Sequence, residues 1–452
     1  MFFFVENVET FNSFSSSQRD ERRGWMGDAA LTANEALYNF DLIKFYHNFL
    51  NLLVDDQLAN GELPNYVPVG NGPSDAGWGD NYPPDPNWGT ALPTITWQVY
   101  RHYNDVETLK KYYDQNVAYV DYLRGVYNST GLVNFTERYS DWVPPPPAPG
   151  TNRKLVAAYG FLHDVNLMIN MSQILGKTSD TDMYSKFYKQ LSEEFHQLFY
   201  NTSLNCYADG LQAAQVLALS LPNLVPANVR NSVIDHLVND ILKQDTHVTT
   251  GIISTAQIYP ILSDNGHHDL ALELVSSITY PSYGYMFNNP FENATTILER
   301  WNTPTADPGM NSRNQAMFSS VGAWFYSHLA GIDFLPDTIL IRPRMTSESK
   351  KHLMPKLNCQ LSTLYGLVRI SYTRENLPNT IQLRVTVPPN ARARLMFEPL
   401  FAGGQCQTLT ESNRIIWSAN STNEWKVEKD PTNNLMTVHL GSGEYEFQAI
   451  WQ

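Results

Sequence analysis

Apolar side chains through the first three hundred residues recur at helical spacing. Two stretches place them three or four positions apart, on one face of a helix: Tyr38, Leu42, Phe45, Phe49 and Leu52, then Tyr184, Phe187, Leu191, Phe195 and Leu198. Similar patterns predict helices over 92–103, 106–125, 155–175, 211–219, 226–243, 269–277 and 316–330. Residues 1–333 are therefore predicted to form a helical domain. Its long polar loops, 60–90 and 140–153, are places where a site could lie.

The pattern changes after Asp333, where apolar and polar positions begin to alternate. Val368, Ile370 and Tyr372 alternate with Arg369 and Ser371, as in a half-buried strand. Strands are predicted at Thr338–Arg342, Gly366–Tyr372, Ile381–Val387, Arg392–Phe397, Met436–Leu440 and Tyr445–Trp451. Short strands at this spacing predict an antiparallel β-sandwich for residues 334–452.

Charge and hydropathy narrow the classes of partner. The net charge of -14 argues against a nucleic-acid partner, because phosphates need a positive surface. No run of about 18 apolar residues could span a membrane. The four consecutive prolines Pro144–Pro147 could form a solvent-exposed linker, but their closeness to Asp141-Trp142 favours a rigid loop at the rim of a site. The oligomeric state is left open.

Cysteine and asparagine motifs bear on compartment. Cys359 and Cys406 share the C-terminal region and could pair in an oxidising compartment, and three unpaired thiols with Cys206 are equally compatible. Glycosylation acceptors favour a secretory or lysosomal route, at Asn128, Asn134, Asn170, Asn201, Asn293 and Asn420. The apolar start Met1–Val5 is too short for a signal peptide, which conflicts with that route.

No cofactor chemistry stands out in the sequence. His267-His268 has no cysteine or acidic partner at metal-ligand spacing, so these histidines are predicted to lie at a solvated helix start. Phosphate-loop, dinucleotide and nucleophile-elbow motifs do not occur. Neither a metal nor an organic cofactor is expected.

Two segments carry dense charge beside an indole. Residues 18–28 combine three carboxylates, three arginines and Trp25, and residues 295–301 again offer Glu299 beside Arg300 and Trp301. Carboxylates can move protons and grip hydroxyls, and an indole can stack on a sugar ring. Two carboxylates brought together by the fold are the minimum equipment for glycoside hydrolysis.

These segments resemble one family, glycoside hydrolase family 78, the α-L-rhamnosidases. The stretch 18–29 is similar to the family's signature, and further similar stretches follow in the same order at 88–91, 141–142, 249–251, 280–286, 295–301, 310–312 and 317–318. The resemblance implies an (α/α)6 barrel followed by a C-terminal β-sandwich. Because the signature begins within twenty residues of Met1, the family's upstream β-domains are expected to be missing, as in a fragment or a shortened variant.

The resemblance also implies an inverting hydrolysis that releases terminal α-L-rhamnose from glycosides or polysaccharides. Glu21 matches the general acid and Glu299 the general base, and Arg19, Trp25 and Asp28 match positions that contact the sugar. Inversion needs the two carboxyl groups about 6.5–9.5 Å apart, so that a water fits between them. The residues alone leave other readings open: a helix-start carboxylate or surface ion pair for Glu21, and core packing for Trp25.

Further aromatic residues are expected to wall the pocket, although ordinary packing is nearly as plausible for each: Trp88, Trp142, Tyr283 and Trp301. The segment Trp78-Gly79-Asp80 competes with 88–90 for one family motif. For Glu299, a structural salt bridge with Arg300 is the alternative to a catalytic role.

Two departures from the family pattern bear on activity. Ser15 stands where the family has a sugar-binding aspartate, and Gln315 stands where it often has histidine. Glutamine donates hydrogen bonds but carries no charge. The departures keep two alternatives open, a catalytically impaired glycan-binding remnant and an (α/α)6 hydrolase acting on another sugar.

Overall fold

A computed structural model describes residues 23–69, 85–135, 138–292, 294–306, 312–374, 378–401, 403–418 and 425–452. The predicted site residues Arg19 and Glu21 lie outside the described residues, as do Ser15 and Trp78. The described chain folds into two compact units. The first comprises residues up to Ile261 together with Leu274–Val321, and the second comprises Leu262–Glu273 together with Gly322–Gln452.

Helices dominate the first three hundred residues. In chain order they are α1 (Met26–Asn39), α2 (Ile43–Asp55), α3 (Pro86–Gly89), α4 (Ala91–Tyr103), α5 (Val106–Thr130), α6 (Arg153–Ile174), α7 (Thr178–Phe199), α8 (Gln212–Ser220), α9 (Ala227–Lys243), α10 (Ile252–Asp264), α11 (His268–Ser276), α12 (Tyr283–Phe287) and α13 (Val321–Trp324). A short hairpin, β1 (Tyr200–Asn201) and β2 (Cys206–Tyr207), follows α7. Short 3-10 helices cover Leu132–Asn134, Thr303–Thr305 and Ala316–Ser320, and a π-helical turn covers Phe325–Leu329.

Successive helices of the first unit alternate in how they are buried. Helix α6 is buried nearly all round through its first half, whereas α7 buries one stripe that includes Tyr184, Leu191 and Phe195. Helices α8 and α9 repeat this contrast. A helix surrounded by other helices must be apolar on all sides, while one facing solvent needs a single apolar face. The alternation is therefore what a double ring of helices requires.

The predicted stripe from Tyr38 to Leu52 is wrong as a single helix. The chain breaks between α1 and α2, where the Tyr103 hydroxyl accepts a hydrogen bond from the Leu42 backbone N–H at 2.8 Å. This break rotates the buried face of α2 to Tyr46, Phe49, Leu50 and Leu53. In the second stripe, Leu198 is exposed. The sequence also missed α10, an apolar helix with Pro260 inside it.

Two sheets form the C-terminal part of the second unit. Their strands are β3 (Ile332–Leu335), β4 (Thr338–Ile341), β5 (Lys356–Thr363), β6 (Gly366–Thr373), β7 (Thr380–Val387), β8 (Ala393–Phe397), β9 (Cys406–Glu411), β10 (Arg414–Ser418), β11 (Val427–Lys429), β12 (Met436–Leu440) and β13 (Gly443–Trp451). The six-stranded sheet has the order β10-β9-β13-β7-β6-β5, and the five-stranded sheet has the order β11-β12-β8-β4-β3. All six predicted strands are present. Pairing is antiparallel as predicted, apart from the parallel pair β4 and β8.

The possible pairing of Cys359 with Cys406 is excluded by sheet order. Both thiols are free, as is Cys206. Cys359 lies on β5 and Cys406 on β9, with β6, β7 and β13 between them. Four strand spacings amount to about 19 Å, far beyond the roughly 7 Å limit between the Cα atoms of a disulfide. Strand order, which the sequence does not display, decides this outcome.

The solvated position predicted for His268 is wrong. His268 begins α11 but is buried, and its Nδ1 lies 3.0 Å from the Ser263 hydroxyl. Burial lowers the pKa of this imidazole to about 4, which keeps it neutral. The histidine therefore serves the packing of the second unit. None of the described helices has the length and apolarity needed to cross a bilayer.

Candidate active site

The start of α1 is tied to a second chain segment. The backbone N–H of Met26 donates to the carbonyl of Asn65 at 3.0 Å. Trp25 forms a β-bridge with Tyr66, and their rings meet edge to face at 5.3 Å. The signature segment and the loop after α2 are thus held together by backbone pairing as well as by ring contact.

Asp85 fixes a third segment. Its carboxylate caps α3 by accepting from the Asn87 N–H at 2.9 Å, and it also accepts from the N–H groups of Arg138 and Tyr139 at 2.9 and 2.8 Å. The side chain is buried, which raises its pKa, and these donors offset part of the cost of burial. Asp85 therefore holds Tyr139 beside Trp88.

Three rings contact Tyr139, and a fourth, Tyr66, contacts Trp25; together we call these five the aromatic cluster: Trp25, Tyr66, Trp88, Tyr139 and Trp142. The Tyr139 ring lies 4.3 Å from Trp88, 5.9 Å from Trp25 and 6.0 Å from Trp142. Trp88 is 3% exposed, and its indole N–H finds no acceptor among the described residues. Three of the predicted tryptophans are thereby brought together.

Gly27 makes room for this cluster. A Cβ at that position would lie 2.6 Å from the Trp88 ring. The second glycine of the signature is therefore required by packing, because the indole rests directly on the backbone of α1.

Asp141 organises the loop that carries Trp142. Its carboxylate accepts from the backbone N–H groups of Gly251, Ile253 and Ser254 at 2.8, 2.9 and 3.1 Å, and from the Ser254 hydroxyl. It thus caps α10 from 110 residues away. Burial raises its pKa. Asp141 is a structural anchor, and Trp142 beside it stays partly exposed.

The backbone around this anchor is strained. Ser140 and Val143 adopt φ values of 58° and 53°, a region that β-branched residues such as valine rarely occupy. The hydrogen bonds of Asp141 hold the two strained positions in place. The proline run that follows lies inside the first unit, where the Tyr280 hydroxyl donates to the Pro146 carbonyl at 2.7 Å. It is a fixed loop and not an interdomain linker.

Glu299 lies in the second half of the site. It is 3% exposed, and its carboxylate accepts from the Ser312 N–H at 2.6 Å. Its own N–H donates to the Ser312 carbonyl at 2.9 Å. The alternative salt bridge is not formed, since Arg300 makes no ion pair in the described chain. The Ser312 N–H therefore fixes the orientation of the Glu299 carboxylate, and burial keeps this carboxylate away from bulk water.

A hydrogen bond between two described side chains joins the two halves. The Gln315 side-chain amide donates to the Asp28 carboxylate at 2.5 Å, across 287 positions of sequence. Both side chains are buried. Gln315 is itself positioned by its N–H, which donates to the Ile297 carbonyl at 2.9 Å. Signature and downstream motif therefore meet at Asp28.

Trp301 lies apart from the aromatic cluster. It is fully buried, its indole N–H donates to the Thr250 carbonyl at 3.2 Å, and its ring packs on Phe318 and Tyr283. The Tyr283 hydroxyl is in turn bound to the Phe318 carbonyl at 2.8 Å. These contacts anchor the segment that carries Glu299 to Thr250, Tyr283 and Phe318.

The chain matches a known domain family over residues 15–329, the bacterial alpha-L-rhamnosidase 6 hairpin glycosidase domain. The chain belongs to this family. The six helical hairpins of this domain agree with the alternating burial of successive helices, and the (α/α)6 barrel with a C-terminal β-sandwich is confirmed.

Individual rhamnosidases are similar to this chain along most of its length. The structure of α-L-rhamnosidase from Dictyoglumus thermophilum is 32% identical with a TM-score of 0.82, covering 96% of this chain and 46% of that one. An α-L-rhamnosidase of Streptomyces avermitilis is 32% identical over 83% of this chain and 35% of its own length. One from Formosa agariphila is 29% identical over 96% and 45%. The chain thus spans less than half the length of these rhamnosidases.

Sequence reasoning overlooked several residues that hold the segments of this candidate site in place. No sequence motif distinguishes Tyr66. Asp85-Pro86 could have been found, because an acidic residue followed by proline is typical of a helix start. Glu35 was also missed. It lies two turns after Asp28 on α1, bonded to Asn39 at 2.6 Å and to Ser319 at 3.3 Å. In the described residues, no three His, Cys, Asp or Glu side chains gather as metal ligands would.

Proposed function

We propose that this chain is the catalytic barrel and C-terminal sandwich of an α-L-rhamnosidase that removes terminal α-L-rhamnose with inversion. The observation that carries the proposal is the Gln315–Asp28 hydrogen bond, because it brings the signature segment against the segment of Glu299. Family membership and the rhamnosidases named above support the choice of sugar.

In this proposal Glu299 acts as the general base. Its burial and its backbone donor Ser312 hold one oxygen, so that the carboxylate can orient a water toward the anomeric carbon. Glu21 acts as the general acid that protonates the leaving oxygen. The two groups act on opposite faces of the sugar, as inversion requires.

The remaining side chains bind the sugar. Asp28 accepts hydrogen bonds from ring hydroxyls, which is favourable because its charge strengthens each bond. Trp25, Trp88 and Trp142 supply apolar faces, and the Trp88 indole N–H is a spare donor among the described contacts. Arg19 completes the set as a cationic donor.

Hydrolysis of p-nitrophenyl α-L-rhamnoside by the purified chain tests the proposal. Glu299→Gln should lower kcat by about 10²–10⁴-fold, the usual contribution of a general base. Glu292→Gln is the matched control, since Glu292 is a nearby carboxylate that pairs with Arg313 at the surface. Equal losses in both variants would sink the assignment of Glu299.

Leaving-group dependence tests Glu21 separately. Nitrophenol leaves readily without a proton, whereas an alkyl alcohol needs one. Glu21→Gln should therefore impair an alkyl α-L-rhamnoside far more than the nitrophenyl one, and Glu299→Gln should impair both alike. Proton NMR of the first sugar released should show the β-anomer, and an α-anomer would contradict inversion.

A second candidate is a glycan-binding protein without turnover. Gln315 favours it, because the amide at this position cannot carry the charge of the family's frequent histidine. In that case the folded chain would bind rhamnose in a calorimetric titration and hydrolyse no aryl glycoside. Hydrolysis of a different aryl glycoside only would select another sugar.

A further inference from the structure

The six-stranded sheet of the second unit carries a polar groove on its outward face. Strand register places four polar side chains in one row across β5, β6, β7 and β13. Directly paired residues on antiparallel strands share a face, so this row is continuous. It consists of Asn358, Ser371, Arg384 and Glu446.

A second row lies two residues along each strand, on the same face. It consists of Gln360, Arg369, Thr386 and Glu444. The side chains at the positions between the rows point the other way, and Ile370 and Val385 are buried there while Tyr445 is half-buried. One face of the sheet therefore builds the core, and the other presents eight polar groups.

The shape of this face is concave. The groove encloses about 680 Å³, within the range typical of small-ligand sites. Its floor is formed by the short side chains of Ser371 and Thr386, which lie diagonally between the long ones on the neighbouring strands. Long side chains on both flanks then form the walls.

The groove offers many hydrogen bonds and no net charge. Arg384 pairs with Glu446 at 3.1 Å. Arg369 and Glu444 stand at opposite walls and form no ion pair with any described residue. Two guanidinium groups thus face two carboxylates. Most of the wall side chains are planar groups with paired donors or acceptors, which suit adjacent hydroxyls.

We propose that this groove binds a neutral oligosaccharide and is a second sugar site of the protein, on a unit other than the barrel. The idea rests on the proposed function, since an enzyme that trims a glycan gains from holding the chain that carries the sugar. The balanced charge disfavours nucleic acid and polyanionic glycans. The lack of apolar side chains in the two rows disfavours a protein partner, whose interface would have an apolar centre.

Affinity electrophoresis of the full chain tests this proposal. Native gels would contain arabinogalactan, galactomannan, xyloglucan or dextran as neutral probes, with polygalacturonate and heparin as anionic ones. Retardation in at least one neutral gel, and none in the anionic gels, is expected. Migration unchanged in every neutral gel, or retardation by the anionic probes alone, would overturn the proposal.

Two kinds of variant locate the binding surface. Arg369→Ala with Arg384→Ala removes two donors, and Thr386→Trp fills the floor without changing charge. The double arginine variant should weaken binding at least about tenfold, the effect of losing charge-assisted hydrogen bonds. Thr386→Trp should weaken binding by about tenfold or more because its indole occupies the groove. Arg414→Ala is the control, an exposed arginine on β10 of the same sheet but outside the groove.

Hydrolysis of p-nitrophenyl α-L-rhamnoside separates this proposal from the catalytic one. The groove variants should retain wild-type kcat and KM on that small substrate. Retardation that survives both groove variants would assign glycan binding to the barrel and contradict the groove. Lack of hydrolysis in the wild type would instead count against the proposed function, with the gel result standing by itself.

Discussion

The two units bury different chemistry. Among the described residues, the first unit buries six carboxylates, Asp28, Glu35, Asp85, Asp141, Asp164 and Glu299. In the described part of the second unit no carboxylate is buried. That unit buries the charged side chain of Arg374, which is bonded to Thr346 and Glu348. A buried His268 with a pKa of about 4 is neutral.

This difference shows where the protein tolerates an energetic cost. A buried carboxylate is unfavourable unless donors surround it. Asp85 and Asp141 meet that condition with backbone donors, and each of them holds an aromatic residue of the site. In the described part of the sandwich no buried carboxylate holds a loop, and its core is apolar apart from a few polar side chains such as Arg374. Buried carboxylates are therefore concentrated in the unit that carries the candidate site.

The largest effect is expected at Asp141. Asp141→Ala leaves the N–H groups of Gly251, Ile253 and Ser254 without their acceptor and lowers the free energy of unfolding by roughly 3–5 kcal/mol. Urea unfolding measures it. The counterpart in the sandwich is Asp430→Ala, which removes similar bonds to Thr432 at an exposed turn and should cost far less. Comparable losses of unfolding free energy in the two variants would contradict the difference between the two units.

Glu35 should make stability depend on pH. Burial raises its pKa from 4.5 to about 8, so the native state keeps a proton that the unfolded chain releases between these values. The stabilisation that protonated Glu35 gives the native state is fully present below pH 4.5 and is lost as the pH rises to about 8. Wild type should therefore lose roughly 4 kcal/mol of unfolding free energy between pH 4.5 and pH 8, at about 1.4 kcal/mol per pKa unit, and Glu35→Gln should abolish that loss.

In the second unit, Glu348 should make stability depend on pH in the opposite direction. Desolvation raises the pKa of Glu348, but the hydrogen bond and charge of Lys351 and the charge of Arg374 outweigh it, so the net pKa is lowered. The stabilisation from Glu348 is therefore present above the ordinary glutamate pKa and is lost in more acidic solution. Urea titrations of Glu35→Gln and Glu348→Gln across pH 3–9 should differ from wild type in separate windows. Identical pH profiles for both variants would show that the burial contrast has no thermodynamic consequence.

Gln315 should matter for turnover more than for stability. Gln315→Ala removes the donor to Asp28 and should lower kcat/KM on the nitrophenyl rhamnoside about tenfold to a hundredfold. Gln315→His restores a donor that also titrates, so the pH profile of kcat/KM should gain an additional inflection in the range where imidazole titrates. Ser319→Ala, which alters Glu35 instead, is the control. A wild-type rate in Gln315→Ala would contradict the role of this contact.

The smallest effect separates two helical glycines. Gly27→Ala pushes a methyl group to within 2.6 Å of the Trp88 ring and should destabilise by about 1–2 kcal/mol. Gly125 on α5 has open space around it, so Gly125→Ala should stabilise by about 0.5–1 kcal/mol through helix propensity. Thermal denaturation compares them, and shifts of the same sign would contradict the packing of Trp88 on α1.

Local pattern predicted most helices and strands because periodicity reflects which face is buried. The missed elements follow the same physics. Helix α10 is buried on nearly all sides, so its sequence has little amphipathic period to detect. The break before α2 depends on the Tyr103 hydroxyl, which is sixty-one positions away in sequence. Such contacts leave no trace in a local window.

The sequence by itself determined the fold class, the two kinds of domain texture and the two charged segments, since these depend on periodicity and residue type. Tertiary structure alone decided which residues meet. It made Asp141 a helix cap, packed Trp301 against Tyr283 and Phe318, joined Gln315 to Asp28 and kept Cys359 from Cys406. Each outcome depends on a contact between distant parts of the chain, and only the packing of whole helices and strands specifies such contacts.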